Sequence, residues 1–281
     1  MWGNYKYGKM KKTWLITGVS SGLGQALAEV AIEQGDFVIG TLRKPSEVNG
    51  FNKKYGKNAK AILLDITDFE TMEMQLSKIH TIDVLVNNAG IGFVGAVEET
   101  SMEESRMVFE VNFFGMQRLT QLVLPKMRKQ SNGHIIQISS HGGIKAFAGF
   151  GIYNASKFAL EGYSEALAQE LQPLNIKVTL VEPGPFRTDF ASSNLPEAKK
   201  TIYEYAKTAG AFRNALKSVH GKQEGDPKKA AKIIFDKINS DNMSLRLPLG
   251  KVPLTTIALK LDSVKNDMER NRHLSEQAVF D

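Results

Sequence analysis

Trp14-Leu15-Ile16-Thr17-Gly18-Val19-Ser20-Ser21-Gly22-Leu23-Gly24, running on into Gln25-Ala26-Leu27-Ala28-Glu29-Val30-Ala31, is the stretch that decides the fold. A short apolar run enters a glycine-rich turn and leaves it as a helical pattern, so strand, turn and helix follow in that order. Glycines at such a turn let the backbone come close to a pyrophosphate, while the amides and positive dipole end of the new helix attract its charge. The same glycines could equally serve only a tight turn. Further along, apolar runs at Phe37–Thr41, Ala59–Leu64, Val84–Asn87, His134–Ser139 and Ile176–Glu182 alternate with helical patterns at Gly22–Gln34, Asp68–Ile79, Met102–Met127, Tyr153–Leu171 and Pro227–Ile238, with Ser244–Leu247 as a last edge strand. Such alternation predicts an α/β fold, a parallel sheet with helices on both faces.

Tyr153-Asn154-Ala155-Ser156-Lys157 places a phenol and an ammonium four residues apart at the start of a predicted helix. At that spacing both side chains leave one helix face. A phenol is a poor acid near neutrality, but a fixed positive charge beside it favours the phenolate and lowers its pKa. Alone, the pair also fits an ordinary solvated face. Thirteen residues upstream stands Ser140, where the run His134-Ile135-Ile136-Gln137-Ile138 gives way to a loop with Gly142 and Gly143. Strand alternation turns Ser139 to the opposite face, which favours Ser140 as the hydroxyl delivered to the loop.

Together these motifs resemble the short-chain dehydrogenase/reductase family in its single-domain branch, over about residues 12–190. The resemblance rests on the Thr-Gly-x-x-x-Gly-x-Gly turn (Thr17 to Gly24), Asn87-Asn88-Ala89-Gly90, Val111-Asn112-Phe113-Phe114-Gly115, Ser140, the Tyr153/Lys157 pair and Pro183-Gly184-Pro185-Phe186-Arg187-Thr188. It implies a Rossmann-type doubly wound, three-layer single domain at 12–250 with a helical substrate lid at about 188–225, flanked by an N-terminal extension (1–11) and a C-terminal extension (251–281). It implies a catalytic set of Asn112, Ser140, Tyr153 and Lys157. Cofactor contacts are implied at Thr17, Gly18, Ser20, Ser21, Gly22, Leu23, Arg43, Asp65, Ile66, Asn88, Ala89, Gly90, Tyr153, Lys157, Pro183, Gly184, Phe186 and Thr188. Asp65 could instead only cap the next helix, and Asn112 could only satisfy a kinked helix.

The end of the second predicted strand bears on the cofactor. Relatives that prefer NAD usually carry Asp where this chain has Leu42, and an acid there would repel a ribose phosphate. Arg43 offers a planar donor fork suited to that phosphate, with Lys44 and the hydroxyls of Ser20 and Thr41 as candidate assistants. NADP(H) is therefore expected in preference to NAD(H), although Arg43 could be a solvated loop residue.

With 281 residues the chain suits one domain able to bury a large core. The absence of cysteine excludes disulfides and thiolate metal sites, and favours an intracellular compartment. The net charge of +6 comes from scattered lysines rather than a stripe, which argues against nucleic acid. Met1 to Lys12 lacks the apolar core of a signal peptide, and no later run would span a bilayer, so no membrane partner and a cytoplasmic location are expected. The five histidines show no ligand spacing, so no metal is expected; His134 reads as structural, and His141 as either a substrate donor or a loop residue.

The resemblance implies transfer of hydride between cofactor and substrate, with Tyr153 as acid/base, Ser140 stabilising the substrate oxygen, Lys157 lowering the tyrosine pKa and holding the nicotinamide ribose, and Asn112 binding a water next to Lys157. Phe93, Val94, His141, Phe147, Phe150 and Phe190 are the expected substrate pocket, which suggests an apolar, lipid-, retinoid- or steroid-like aldehyde, ketone or alcohol. A catalytically silent NADP(H)-binding sensor or interaction protein is the alternative. A small-residue stripe at Ala155, Ala159, Gly162 and Ala166 could pack on the sheet or serve a homodimer or homotetramer.

Overall fold

The computed structural model describes residues 11–192, 195–240 and 244–280, and all but Lys11 of the expected N-terminal extension lies outside them. Strand β1 (Thr13–Ile16) shows how the core divides. Successive strand side chains point to opposite faces, so Trp14 and Ile16 enter one apolar cluster and Leu15 the other.

The chain continues through α1 (Gly22–Glu33), β2 (Phe37–Leu42), α2 (Pro45–Tyr55), β3 (Ala59–Leu63), α3 (Phe69–Ser77), β4 (Val84–Asn87) and α4 (Met102–Phe109). A π-helical turn (Glu110–Phe114) leads into α5 (Gly115–Gln130), then β5 (Gly133–Ile138), α6 (Gly151–Leu171), β6 (Ile176–Pro183), α7 (Ala211–Val219), α8 (Pro227–Ile238), β7 (Arg246–Leu249) and α9 (Lys251–Ser275). The strands pair in the order β3-β2-β1-β4-β5-β6-β7, parallel throughout. This is the Rossmann-type three-layer architecture. On one face α1 and α8 pack through Leu27, Ala28, Ile234 and Phe235; on the other α3, α5 and α6 pack through Met72, Leu119, Val123 and Leu167.

Some elements differ from the sequence expectation. Helix α2 was not anticipated, because Phe51 is its one buried residue and its apolar face is too thin to read. The helix expected over Met102–Met127 is interrupted by the π turn. The edge strand starts at Arg246 rather than Ser244, and the C-terminal extension is a 25-residue helix, of which only Pro253 is buried. Asp68, not Asp65, caps α3 by accepting from Thr71 N. His134 is buried on β5 beside Thr179 Oγ1 (2.9 Å), and burial pushes its imidazole down to about 3.

Candidate active site

Because all seven strands run the same way, the loops after β1, β4, β5 and β6 open on one edge of the sheet, where ligands bind in folds of this kind. The glycine turn after β1 has Gly18 at φ +70° and Gly22 at φ +61°, backbone that side chains rarely adopt. Thr17 fixes the turn to the next strand: its Oγ1 accepts from Asn88 N (2.8 Å) and Ala89 N (2.9 Å), and Asn88 Nδ2 donates to Thr17 O (2.8 Å) and Gly18 O (3.1 Å). A Cβ on Gly24 would lie 2.3 Å from Asn88 Nδ2 and 2.4 Å from Gly18 O, so only glycine fits. Ser21 precedes α1 without capping it through its side chain, leaving the first amides of the helix open to an anion. Thr188 faces Gly22 across this opening, its methyl 3.4 Å from where a Cβ on Gly22 would stand. This cradle fits a dinucleotide pyrophosphate.

At the end of β2, Leu42 is buried and Arg43 exposed, with no ion pair to a carboxylate among the described residues. Ser20 and Ser21 are exposed and Leu23 is half-buried beside them. Asp65 is half-buried and accepts from Thr67 N (2.9 Å) and Oγ1 (2.7 Å) in a local turn, with Ile66 buried next to it. Beyond β6, Gly184 N donates to Leu249 O (3.0 Å) and Phe186 bridges to Gly225, which holds the Pro183 to Thr188 loop in place.

Asn112, Ser140, Tyr153 and Lys157 are all buried. The Ser140 hydroxyl meets the Tyr153 phenol and accepts from Gly142 N at 2.9 Å. Lys157 Nζ donates to Ile138 O (2.9 Å), the last residue of β5. Asn112 projects from the π turn; its Oδ1 accepts from Ile91 N (2.8 Å) and its Nδ2 donates to Ile91 O (2.9 Å) and Ser156 Oγ (3.1 Å). The amide therefore braces the segment after β4 rather than its own helix. A Cβ on Gly90 would lie 3.3 Å from Asn112 Oδ1 and 3.6 Å from Lys157 Nζ, so the two side chains converge there.

The electrostatics depart from one expectation. Burial pushes the Tyr153 phenol up to about 12, and the group acting against it is the Ser140 hydroxyl, not Lys157. Burial likewise pulls the Lys157 ammonium down to about 8, with the charge of Glu161 opposing. Lys157 points at a backbone carbonyl, and in a buried site desolvation outweighs its distant charge on the phenol.

The aromatic residues gather around Tyr153, with one exception. Phe150 (ring centroids 4.9 Å) and Phe190 (5.6 Å) flank the phenol, and Phe147 lies 5.0 Å from His141. Val94 packs in the same cluster, whereas Phe93 turns away into a separate one with Val108 and Ala198. Neighbouring residues in an extended segment face opposite ways, which corrects Phe93 as a pocket residue. His141 Nδ1 sits 3.1 Å from Thr256 Oγ1 of α9, and burial lowers its pKa. The segment over this mouth comprises a short turn at Asp189–Ala191, turns at Tyr203–Tyr205 and Ala206–Gly210, and α7. Its Arg213 pairs with the buried Glu99 (3.1 Å), and Tyr205 donates to Glu98 (2.7 Å).

Asn154 was missed by the sequence reasoning. It donates to Gly142 O (2.7 Å) and accepts from Phe147 N (2.9 Å), tying the Ser140 loop to the first turn of α6. An amide flanked by Tyr153 and Ser156 on a buried face was the available signal.

A family model described as short chain dehydrogenase matches residues 12–199. A 3-ketodihydrosphingosine reductase of Bacteroides thetaiotaomicron is 40% identical over 243 residues, covering 84% of this chain and 87% of that protein. Retinol dehydrogenase 8 of Bos taurus is 35% identical over 264 residues, covering 89% and 85%. A crystal structure of a short-chain dehydrogenase from Streptomyces avermitilis superposes with a TM-score of 0.90 at 40% identity, covering 96% of this chain and 99% of that one. The structure of ElxO with NADP bound superposes with a TM-score of 0.71 at 27% identity, covering 88% and 100%.

Proposed function

The chain belongs to the short-chain dehydrogenase family and is an NAD(P)-dependent oxidoreductase acting between alcohols and carbonyls; from that premise we propose that it uses NADPH to reduce an apolar aldehyde or ketone, with Tyr153 as the acid. The observation that carries this reading is the convergence of Ser140 and Tyr153, whose Oγ and ring edge lie 3.2 Å and 3.5 Å from the place of a Cβ on Gly142, beside the glycine cradle and with Lys157 one helical turn beyond.

Bound across the cradle, the nicotinamide cofactor supplies the hydride. Ser140 then donates a hydrogen bond to the negative charge that develops on the substrate oxygen. Tyr153 gives that oxygen its proton. A phenol held at about 12 keeps its proton through the physiological range and can yield it to an alkoxide, a much stronger base. Lys157, one helical turn from Tyr153, would hold the cofactor ribose, while Asn112 holds the Ile91 segment against Lys157. Arg43, with no carboxylate partner among the described residues, and the absence of an acid at Leu42 support the preference for a 2′-phosphate.

Phe147, Phe150, Phe190 and Val94 give the substrate an apolar enclosure. Relatives named for 3-ketodihydrosphingosine and retinol, molecules with long apolar portions, agree with such a pocket. The stripe of Ala155, Gly162 and Ala166 faces outward, and a Cβ on Gly162 would meet nothing within 4 Å, which supports a homo-oligomer formed through α6. Among the described residues no helix is long and apolar enough to cross a membrane.

The test follows NADPH and NADH oxidation by the purified protein against hydrophobic aldehydes and ketones, with Tyr153→Phe as the blank. Turnover with NADPH that vanishes in Tyr153→Phe supports the reading, and turnover retained in that variant removes the acid role. NADPH binding without turnover on any compound would favour the silent sensor.

A further inference from the structure

Behind the site, the stripe of α6 that carries Tyr153 and Lys157 continues at the same four-residue interval to Glu161 and Glu165. Glu161 is 4% exposed, and Glu182, near the end of β6, is fully buried at 0%. One guanidinium serves all three carboxylates. Arg246 of β7 places Nη2 3.1 Å from Glu161 Oε2 and 2.6 Å from Glu165 Oε1, and Nε 3.0 Å from Glu182 Oε1.

The charge does not balance, since three ionised carboxylates against one arginine would leave two uncompensated negative charges, and two of the carboxylates are out of reach of water. Such a burial is costly unless a proton is retained. The hydrogen bonding points the same way. Both Glu182 oxygens are buried without a well-aligned hydrogen-bond partner, and besides Arg246 the Glu161 carboxyl has only the Ser139 hydroxyl as a donor. A carboxyl proton would supply a donor where acceptors are in excess.

The cluster also touches the catalytic loop. Ser139, beside Ser140, lies against Glu161: a Cβ on Gly143 would meet Ser139 Oγ at 2.8 Å, Glu161 Cγ at 3.0 Å and Lys157 O at 3.1 Å. The charged groups facing Glu161 are Lys157 and Glu165 of its own helix, Glu182 of β6 and Arg246 of β7.

We propose that Glu161 and Glu182 share a proton at neutral pH, and that Glu161 acts as a positioning residue which keeps Lys157 charged and supports the Ser140 loop. This rests on the catalytic roles given above to Tyr153 and Lys157. Burial raises both carboxyls, Glu182 to about 7, with the Glu161 charge adding to the effect on Glu182 and Arg246 opposing it. As pH rises through neutrality the pair loses its proton, and Glu161, one turn from Lys157, is then fully ionised at the point where burial would otherwise neutralise that ammonium. The pair buffers the lysine.

Two measurements test this. Infrared difference spectra of the wild-type protein in heavy water, taken across neutral pH, should show a protonated carboxyl band that titrates there and is lost in Glu182→Gln. Absence of the band in wild type overturns the proposal whatever the catalytic roles prove to be. The pH profile of kcat gives the second. Glu161→Gln should move the alkaline limb to lower pH by on the order of one unit, because Lys157 loses the charge that holds its proton. Glu182→Gln leaves Glu161 ionised throughout, so its alkaline limb should stay at or above the wild-type position. A limb displaced the same way by both substitutions, or unmoved while both variants only melt earlier, would reduce the cluster to a structural clamp. A failure confined to the proposed catalysis would show differently, as turnover surviving in Tyr153→Phe while the infrared band remains.

Discussion

Replacing Arg213 with methionine would remove the cation that holds the 195–219 segment over the site while keeping most of its apolar stem. The Arg213 and Glu99 side chains are 13% and 3% exposed, so the charges meet in a largely dry setting. Breaking a buried pair costs roughly 3–5 kcal/mol when the remaining charge has nothing else. Glu99 would keep two backbone donors, Ala96 N (2.9 Å) and Ile202 N (2.8 Å), and Glu197 would keep Lys217 (2.7 Å). Those remaining partners lower the expected cost to about 2–4 kcal/mol. The sheet contributes nothing to this pair, so the loss should appear as local opening, with amide exchange across residues 202–213 faster by on the order of 30- to 1,000-fold while β5 stays protected. The pH dependence follows from Glu99. Burial acts to raise its carboxyl, but the Ala96 and Ile202 amides and Arg213 outweigh it and hold the group below 4.5. Its stabilisation is therefore complete above about pH 4.5 and is lost as pH falls further, so acid should open the same amides in wild type. Hydrogen exchange read by mass spectrometry decides: unchanged exchange over 202–213 in Arg213→Met would refute the pinning of this segment by a buried charge.

Other outcomes can be checked more briefly. Arg43→Ala should weaken NADPH binding by about 1.5–3 kcal/mol and leave NADH binding nearly unchanged, as titration calorimetry would show; equal loss for both cofactors would contradict a phosphate contact. Gly24→Ala should destabilise the protein by about 1–3 kcal/mol and impair cofactor binding, since its methyl would run into Gly18 O and Asn88; normal melting and binding would count against the tight cradle. His134, neutral and buried, contributes stability that is fully present above pH 6.5 and lost as pH falls towards about 3. That contribution is on the order of 3–5 kcal/mol, so His134→Gln should flatten the acid limb of stability against pH in chemical denaturation.

The sheet was legible because parallel strands buried on both faces read as apolar runs, and the cradle because its glycine turn came in company with the other motifs, which a tight turn alone would not require. Ser140, Tyr153, Lys157 and Asn112 were picked out by spacing and resemblance, and the fold buries all four. What escaped depends on contacts distant in sequence. The direction of the Tyr153 shift reflects burial, which a four-residue spacing does not reveal. The divergence of Phe93 from Val94 is set by the segment crossing above them. Arg246 lies 85 residues from Glu161, and nothing local announces that they meet. Helices α2 and α9 were hidden for a simpler reason: with one buried residue each, they carry almost no periodic signal.

The π turn at Glu110–Phe114 has a consequence for how α4 and α5 answer to different neighbours. Val108, before it, packs with Phe93 and Ala198 near the mouth of the site; Leu119, Val123 and Met127, after it, pack on the sheet. An unbroken α-helix advances about 100° per residue and would keep these two sets in fixed phase. One surplus residue in the turn resets the phase, so each half meets its own surface and the residue at the reset, Asn112, is thrown inward. Deleting any single residue of this turn would therefore rotate one half out of register with what it packs against. The segment works as a gear between the catalytic edge and the scaffold, and its tooth count, more than the identity of its flanking side chains, sets how the two halves mesh.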